Sequence, residues 1–501
     1  MRRRRCHREE TRSLGATMLA AKIAEVLNEP GCATNRAKSA KDRKKGCTKQ
    51  LQPGAAAGGC AFDGAKIALQ PIADAAHLVH GPIACEGNSW GSRNTGSSGP
   101  TLYRRGFTTD LDETDVVMGA ERKLLAAVGE IVAKHRPPAV FVYATCVTSL
   151  IGEDLAAICK AACARYGLPV IPVEAPGFAG SKNLGNKLAG QALLDHVIGT
   201  VEPERTTPYD VNIIGEYNVA GELWQVKPLL ERLGMRVLAS ISGDGRYRDV
   251  AASHRARAAL LVCSRAMLNL ARRMEERWGI PFLEGSFYGI SDTSDALRGL
   301  ARLLVERGAP PELLIRTEAV VAEEEARAWS RLTPFRERLA GKKVLLYTGG
   351  VKSWSVVSAL QEMGMEVVGT SVRKSTEGDL ARIHALMGED AHTFDSLPGM
   401  KMYALLKEAK ADILLAGGRS QFVALKAKVP FLDVNQERHH GYAGYEGMVA
   451  LVREIDRAIS SPVFREVRRP APWEESYLAE ALSPPGGERA PSPSPSSSKG
   501  P

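Results

Sequence analysis

Four cysteines stand where a thiolate could reach a metal. Cys60 lies in the stretch Gly58-Gly59-Cys60-Ala61-Phe62-Asp63-Gly64, and Cys85 in His80-Gly81-Pro82-Ile83-Ala84-Cys85-Glu86-Gly87. Glycine beside a cysteine lets backbone approach a bulky ligand closely. Cys146 and Cys263 each end a short apolar run, Ala139–Thr145 and Ala258–Val262, which reads as a strand. Ser264 then opens an amphipathic stretch that it can cap. A thiolate at a strand end beside a helix N-terminus has a lowered pKa and is ready to bind metal. Spacing alone leaves a second reading open, that of buried structural thiols. The separations, 25 residues from Cys60 to Cys85 and 61 from Cys85 to Cys146, match no local metal motif. No CxxC pair occurs, which argues against a zinc ribbon or a ferredoxin-type cluster.

Two glycine pairs extend the list. Gly349-Gly350 follows the strand pattern Lys343–Tyr347, with Lys352 close behind, and Gly417-Gly418-Arg419 follows Asp412–Leu415. Amides at such a turn can face an anion or a cluster sulfide, and two cationic side chains can hold an acidic ligand. A plain tight βα turn explains the glycines equally well. Cys159 and Cys163, an i, i+4 pair on the expected helix Asp154–Tyr166, read as packing residues. Cys6, Cys32 and Cys47 fall in an N-terminal arm. No Walker lysine motif, GxGxxG fingerprint, HExxH or nucleophile elbow is present, so nucleotide hydrolysis and zinc hydrolase chemistry lack support.

The elements that must position these residues alternate regularly. Strand patterns fall at Ala139–Ala144, Val170–Val173, Val211–Gly215, Arg236–Ala239, Ala258–Val262, Pro281–Leu283, Lys343–Tyr347, Glu366–Gly369, Asp412–Leu415 and Pro430–Leu432. Amphipathic stretches such as Ser264–Trp278 and Trp354–Met363 lie between them. Apolar strands alternating with helices indicate parallel α/β sheets. Their number exceeds one doubly wound sheet, so three Rossmann-like units are expected, with breaks near 205–210 and 330–341. The expected division is an arm over 1–47, domains over 48–207, 208–338 and 339–470, and a disordered Pro/Ser-rich tail over 471–501. In open α/β sheets ligands collect at the carboxyl ends of strands.

Composition narrows the classes. The 501 residues are 44% hydrophobic and 25% charged, ordinary for a globular protein. The net charge of +9 lies in the first 50 residues, which hold 14 Lys+Arg against 5 Asp+Glu and leave 52 of each sign elsewhere. The folded body is neutral, so no nucleic-acid partner is expected. No run of about 18 apolar residues suggests a membrane span. The nine cysteines are an odd number without a secretory signal before them, which points to a reducing compartment and a cytoplasmic location. Met18 opens a helix-like run and is an alternative start to Met1, placing 1–17 outside the native chain.

Several long stretches together resemble the nitrogenase component 1 superfamily. They are Lys41–Asp112, VYATCVTSLIGEDL, the run from LVCSRAMLNL to FYGISDTSDALR, YTGGVKSWSV and HHGYAGYEG. The resemblance spans roughly residues 18–465 and is strongest to its E-type scaffold subunits, which build the iron–molybdenum cofactor for nitrogen fixation. It implies three Rossmann-like domains with the cofactor site between them. It implies that Cys60, Cys85 and Cys146 hold a [4Fe-4S] cluster shared with an N-type partner in a heterotetramer. It implies that Cys263 grips one end of the cofactor precursor. Catalytic α subunits grip the other end with a histidine. That stretch here reads Asp433-Val434-Asn435-Gln436-Glu437-Arg438, and Asn435 is the best match, with His439 and His440 out of register. Lys352 stands where the catalytic subunits carry an arginine. Gly349, Gly350, Lys352 and Arg419 are expected to shape the pocket and meet homocitrate. The implied partners are a radical-SAM enzyme that supplies the iron–sulfur core, the nitrogenase iron protein, and the catalytic α subunit as recipient. The expected role is assembly, with no catalytic residue of its own. A catalytic α subunit, or a chlorophyllide-type reductase subunit without need of Cys263, are the alternatives.

Overall fold

The computed structural model describes residues 59–90, 95–262, 264–372, 375–435 and 438–469. The arm over 1–47, Met18, Cys47, Cys263 and the tail over 471–501 lie outside the described residues.

Thirteen strands form three parallel sheets among the described residues. In chain order they are β1 (Ala76–His80), β2 (Phe107–Thr108), β3 (Val140–Ala144), β4 (Val170–Val173), β5 (Asp210–Ile214), β6 (Arg236–Ile241), β7 (Ala258–Leu261) and β8 (Phe282–Glu284). The third sheet adds β9 (Lys343–Tyr347), β10 (Glu366–Ser371), β11 (Thr393–Phe394), β12 (Ile413–Ala416) and β13 (Phe431–Asp433). The orders are β2-β1-β3-β4, β6-β5-β7-β8 and β11-β10-β9-β12-β13, and every pair is parallel. Parallel neighbours need crossovers, and helices supply them on both faces. The chain is therefore α/β with three Rossmann-like units.

All ten expected strands are present, each within a residue or two of its expected ends. The 330–341 stretch is mostly helix: Glu312–Leu339 runs on to Leu339, and only Ala340–Lys342 separates it from β9. The sheets share their interiors. One apolar core joins residues of β3 to β5 and β7, and another joins β5 and β7 to β9 and β12.

Three strands had no sequence signal: β1, β2 and β11. The central strand β1 reads Ala-His-Leu-Val-His, so two imidazoles interrupt its apolar pattern. Both are fully buried and satisfied. His77 meets Tyr143 Oη at 2.8 Å and the Ile72 carbonyl at 3.1 Å. His80 meets Glu153 Oε2 at 2.6 Å and Thr109 Oγ1 at 3.0 Å.

Burial drives the His77 pKa down to about 3, so its imidazole stays neutral in the fold. The unfolded chain binds a proton near pH 6.5 that the folded chain refuses. Stability from this site is present above that value and drains as pH falls towards 3. At pH 5 the loss is about 2 kcal/mol. His77→Gln should shrink the difference in urea-unfolding free energy between pH 7 and pH 5 by about that amount; an unchanged difference would refute the assignment.

Candidate functional site

The three N-terminal cysteines arrive from three different elements. Cys60 precedes the helix Ala61–Leu69 in extended conformation and bridges to Ser181, with the Lys182 amide donating to the Gly59 carbonyl at 3.0 Å. Cys85 lies in the first turn of the helix Ile83–Trp90, just past β1. Cys146 heads the helix Cys146–Ile151, just past β3. The Thr145 hydroxyl donates to the His80 carbonyl at 3.0 Å and so ties the two strand ends together. β1 and β3 are the neighbours at which the first sheet reverses its order, where a crevice opens.

The thiols of Cys60 and Cys146 meet at Gly177. A methyl group at Gly177 would sit 2.9 Å from Cys146 Sγ and 3.2 Å from Cys60 Sγ. Burial pushes the Cys85 thiol up, and the neighbouring Cys146 and Cys60 push it further. All three are partly exposed. Among the described residues no group of three or more His, Cys, Asp or Glu is close enough to hold a single metal ion. A polynuclear iron–sulfur cluster is wider than one ion and takes thiolates at its corners. Two sulfurs against a glycine whose Cβ space they occupy, with Cys85 near enough to feel both, fit such a group. Cys159 and Cys163 stay out of it: Cys159 is buried, and Cys163 Sγ accepts from the Val170 amide at 3.1 Å.

Buried charges hold these loops. Lys66, on the helix after Cys60, pairs with Glu86, the residue after Cys85, and donates to Ser89 Oγ at 3.0 Å. Desolvation lowers the Lys66 pKa and raises that of Glu86, and their mutual attraction opposes both shifts. Lys182 pairs with Asp63 at 2.6 Å. None of these four residues carried a sequence signal beyond its neighbourhood to a cysteine. Close in the chain to Cys85, Cys146 and Gly177, the side chains of Ile83, Leu150 and Phe178 are exposed at 60%, 72% and 56%.

A second site forms at the carboxyl ends of β9, β12 and β13. Gly350 turns with φ of +65° into the helix Lys352–Glu362. Thr348 Oγ1 donates to Asn435 Oδ1 at 2.8 Å, and a Cβ on Gly417 would lie 3.1 Å from Asn435 Nδ2. Lys352 Nζ donates to the Val434 carbonyl at 3.3 Å and lies 4.8 Å above the Tyr288 ring. The structure thus gathers Gly349, Gly350, Lys352, Gly417 and Asn435. Arg419 follows on the turn Gly418–Ser420 with its side chain exposed. Cys263 lies outside the described residues; β7 before it ends at Leu261, and the helix Ser264–Trp278 begins directly after it. His439 and His440 are exposed, and His440 lies 3.8 Å from Glu454.

The charges beneath this site carry no sequence signal. Arg438 is buried and donates to Glu222 Oε1 through Nε at 2.6 Å and Nη2 at 2.5 Å. Glu216, at the end of β5, is pushed up to about 7 by desolvation and by Glu222, against the pull of Lys352 and Arg438.

Residues 60–460 match the family model described as "Nitrogenase component 1 type Oxidoreductase". A protein of Bradyrhizobium diazoefficiens called nitrogenase iron-molybdenum cofactor biosynthesis protein NifE is 65% identical over 456 residues, covering 91% of this chain and 83% of that protein. Proteins of the same name from Rhodobacter capsulatus and Klebsiella pneumoniae are 61% and 52% identical, covering 94% and 90% of this chain and 98% and 99% of theirs. A solved structure, nitrogenase Cp1 at pH 5, superposes with a TM-score of 0.77 at 30% identity, over 85% of this chain and 92% of that one. The chain belongs to the nitrogenase component 1 type oxidoreductase family.

Proposed function

We propose that this chain is the E-type subunit of the scaffold on which the iron–molybdenum cofactor is assembled. The observation that carries the reading is its 52–65% identity, over about nine-tenths of the chain, to proteins named for that biosynthesis. Its 30% identity to the nitrogenase Cp1 structure is about half as great.

Two sites divide the work. Cys60, Cys85 and Cys146 hold a resident [4Fe-4S] cluster, which supplies electrons when bound. Its remaining ligand comes from an N-type partner in a heterotetramer. The meeting of Cys60 and Cys146 at Gly177 and the exposed apolar side chains of Ile83, Leu150 and Phe178 nearby in the chain support a subunit boundary there. The second site takes the precursor cluster as cargo. Cys263 grips it by thiolate from the end of β7. Asn435, Gly349 and Gly350 line the site at the ends of β13 and β9. Lys352 and Arg419 offer positive charge to the carboxylates of homocitrate as molybdenum is added. The core arrives from a radical-SAM enzyme, the nitrogenase iron protein takes part, and the catalytic α subunit receives the product.

Asn435 suits release. A carboxamide is a poor metal donor beside an imidazole, and here its oxygen already accepts from Thr348. The cargo then rests on one strong ligand and can be handed on.

Anaerobically purified complex should separate the two sites by iron analysis. Cys263→Ala should lose the cargo iron and keep the resident cluster; Cys60→Ala should do the reverse. Equal iron in all three proteins would sink both assignments. Asn435→His should slow transfer of loaded cargo to cofactor-free catalytic protein about tenfold or more, the effect of ~1.4 kcal/mol of added grip. Acetylene reduction by the wild-type complex at nitrogenase rates would instead make it a catalytic α subunit. Gly177→Ala should cut resident iron severely at an unchanged melting temperature, because its methyl enters the space between two sulfurs; full cluster occupancy in that variant would contradict the shared pocket.

A further inference from the structure

The outer face of the third sheet carries an apolar patch with a consistent charge. Met400 and Phe422 are 72% and 76% exposed, and Leu425 is 49% exposed. They lie on adjacent helices, Gly399–Glu408 and Gln421–Lys426, where a Cβ on Gly399 would touch Val423 at 3.5 Å. Residues 399–428 hold Lys401, Lys407, Lys410, Arg419, Lys426 and Lys428 against Glu408 and Asp412 alone. Asp412 is already engaged by the Lys343 amide at 2.8 Å. The last described helix, Pro462–Arg468, is fastened to the same place: Arg468 Nε donates to the Lys428 carbonyl at 3.0 Å. Its Val463 and Val467 are 61% and 44% exposed.

The chain continues from that anchor with a complementary segment. Residues 473–482 read Trp-Glu-Glu-Ser-Tyr-Leu-Ala-Glu-Ala-Leu, with three glutamates and no Lys or Arg. Trp473, Tyr477 and Ala481 recur every fourth residue, as do Leu478 and Leu482, the spacing of an amphipathic helix. Only residues 469–472 separate it from Arg468. At no more than about 3.5 Å per residue, the segment starts within roughly 18 Å of the anchor.

We propose that residues 473–482 dock on this patch of their own chain, setting Trp473, Tyr477 and the leucines against Met400, Phe422 and Leu425, with the glutamates facing the lysines. Three features favour this occupant over a second molecule: the tether is short, the charges are opposite, and an intramolecular contact has a high effective concentration. The Pro/Ser-rich composition begins only at residue 484. The helix so covered directly follows Arg419, so the docked segment braces one wall of the second site. The docking stands whether or not that site carries a cluster.

A photoreactive benzoylphenylalanine placed at position 422 of the full chain, in complex with its partner subunit, tests this. Illumination and peptide mapping should place the crosslink in residues 473–482 of the same chain, with a yield unchanged on hundredfold dilution. Trp473→Ala with Leu478→Ala, or separately Lys401→Glu with Lys426→Glu, should lower that yield about tenfold. Crosslinks to a second copy, to the partner subunit or to another protein, or none reaching 473–482, would overturn the proposal. So would a yield indifferent to both sets of substitutions.

Discussion

Parallel strands cannot be joined by a tight turn. Every connection must cross over a face and re-enter at the same end, so all the loops that leave the carboxyl ends crowd one edge of each sheet. Where the strand order reverses, two neighbouring strands send their chains to opposite faces, and the edge between them opens. In the first sheet those strands are β1 and β3, and the residues just beyond them are Cys85 and Cys146. In the second they are β5 and β7, which lead to Glu216 and to position 263. In the third they are β9 and β12, which lead to Gly349, Gly350 and Lys352 and to Gly417 and Arg419. Residues hundreds of positions apart meet because one topological rule is applied three times.

Crowding alone would leave the loops loose. Buried ion pairs hold them to one arrangement. Lys66 with Glu86 locks the helix after Cys60 to the turn bearing Cys85, and Glu222 with Arg438 fastens the chain after Asn435 to the helix Glu222–Arg232. Removing one member of such a pair strands a charge away from water, at about 3–5 kcal/mol. That cost works against slippage. Glu362 serves the same end at the amino terminus of the helix Ile290–Glu306, accepting from the Ile290 and Ser291 amides at 2.9 and 2.8 Å. Two of these contacts join segments 216 and 72 positions apart and cross from one sheet to another.

In the proposed role, donor strength at the second site separates holding a cargo from handing it on. The framework is a glycine turn after β9, a cation at the head of the next helix, and a polar side chain after β13. That side chain is Asn435, whose amide is occupied by Thr348 and flanked by Gly417. A weaker donor in an unchanged framework lowers affinity without disturbing the fold, which is the combination an assembly scaffold requires.

The strands of all three sheets except β1, β2 and β11 were legible from periodicity, because a strand buried on both faces has to be a continuous apolar run. β1 escaped because its two histidines look polar in one dimension; their partners, Tyr143 and Glu153, lie more than 60 positions away. The cysteines could be singled out by residue type and glycine neighbours, and the sequence resemblance assigned them to a cluster, since ligand chemistry is a property of the side chain itself. That Cys60 and Cys146 meet at Gly177 was not legible from spacing, because distance between sulfurs depends on how the crossovers stack. The charges that fix the loops were likewise hidden: Arg438, Glu216 and Lys66 look like surface residues until the packing of helices onto sheets withdraws them from water. Local sequence therefore determined which elements form and which groups could bind metal, through periodicity and side-chain chemistry. Tertiary structure alone decided which of those groups share a pocket and which charges are buried beside them, since both depend on contacts between segments that the chain order keeps apart.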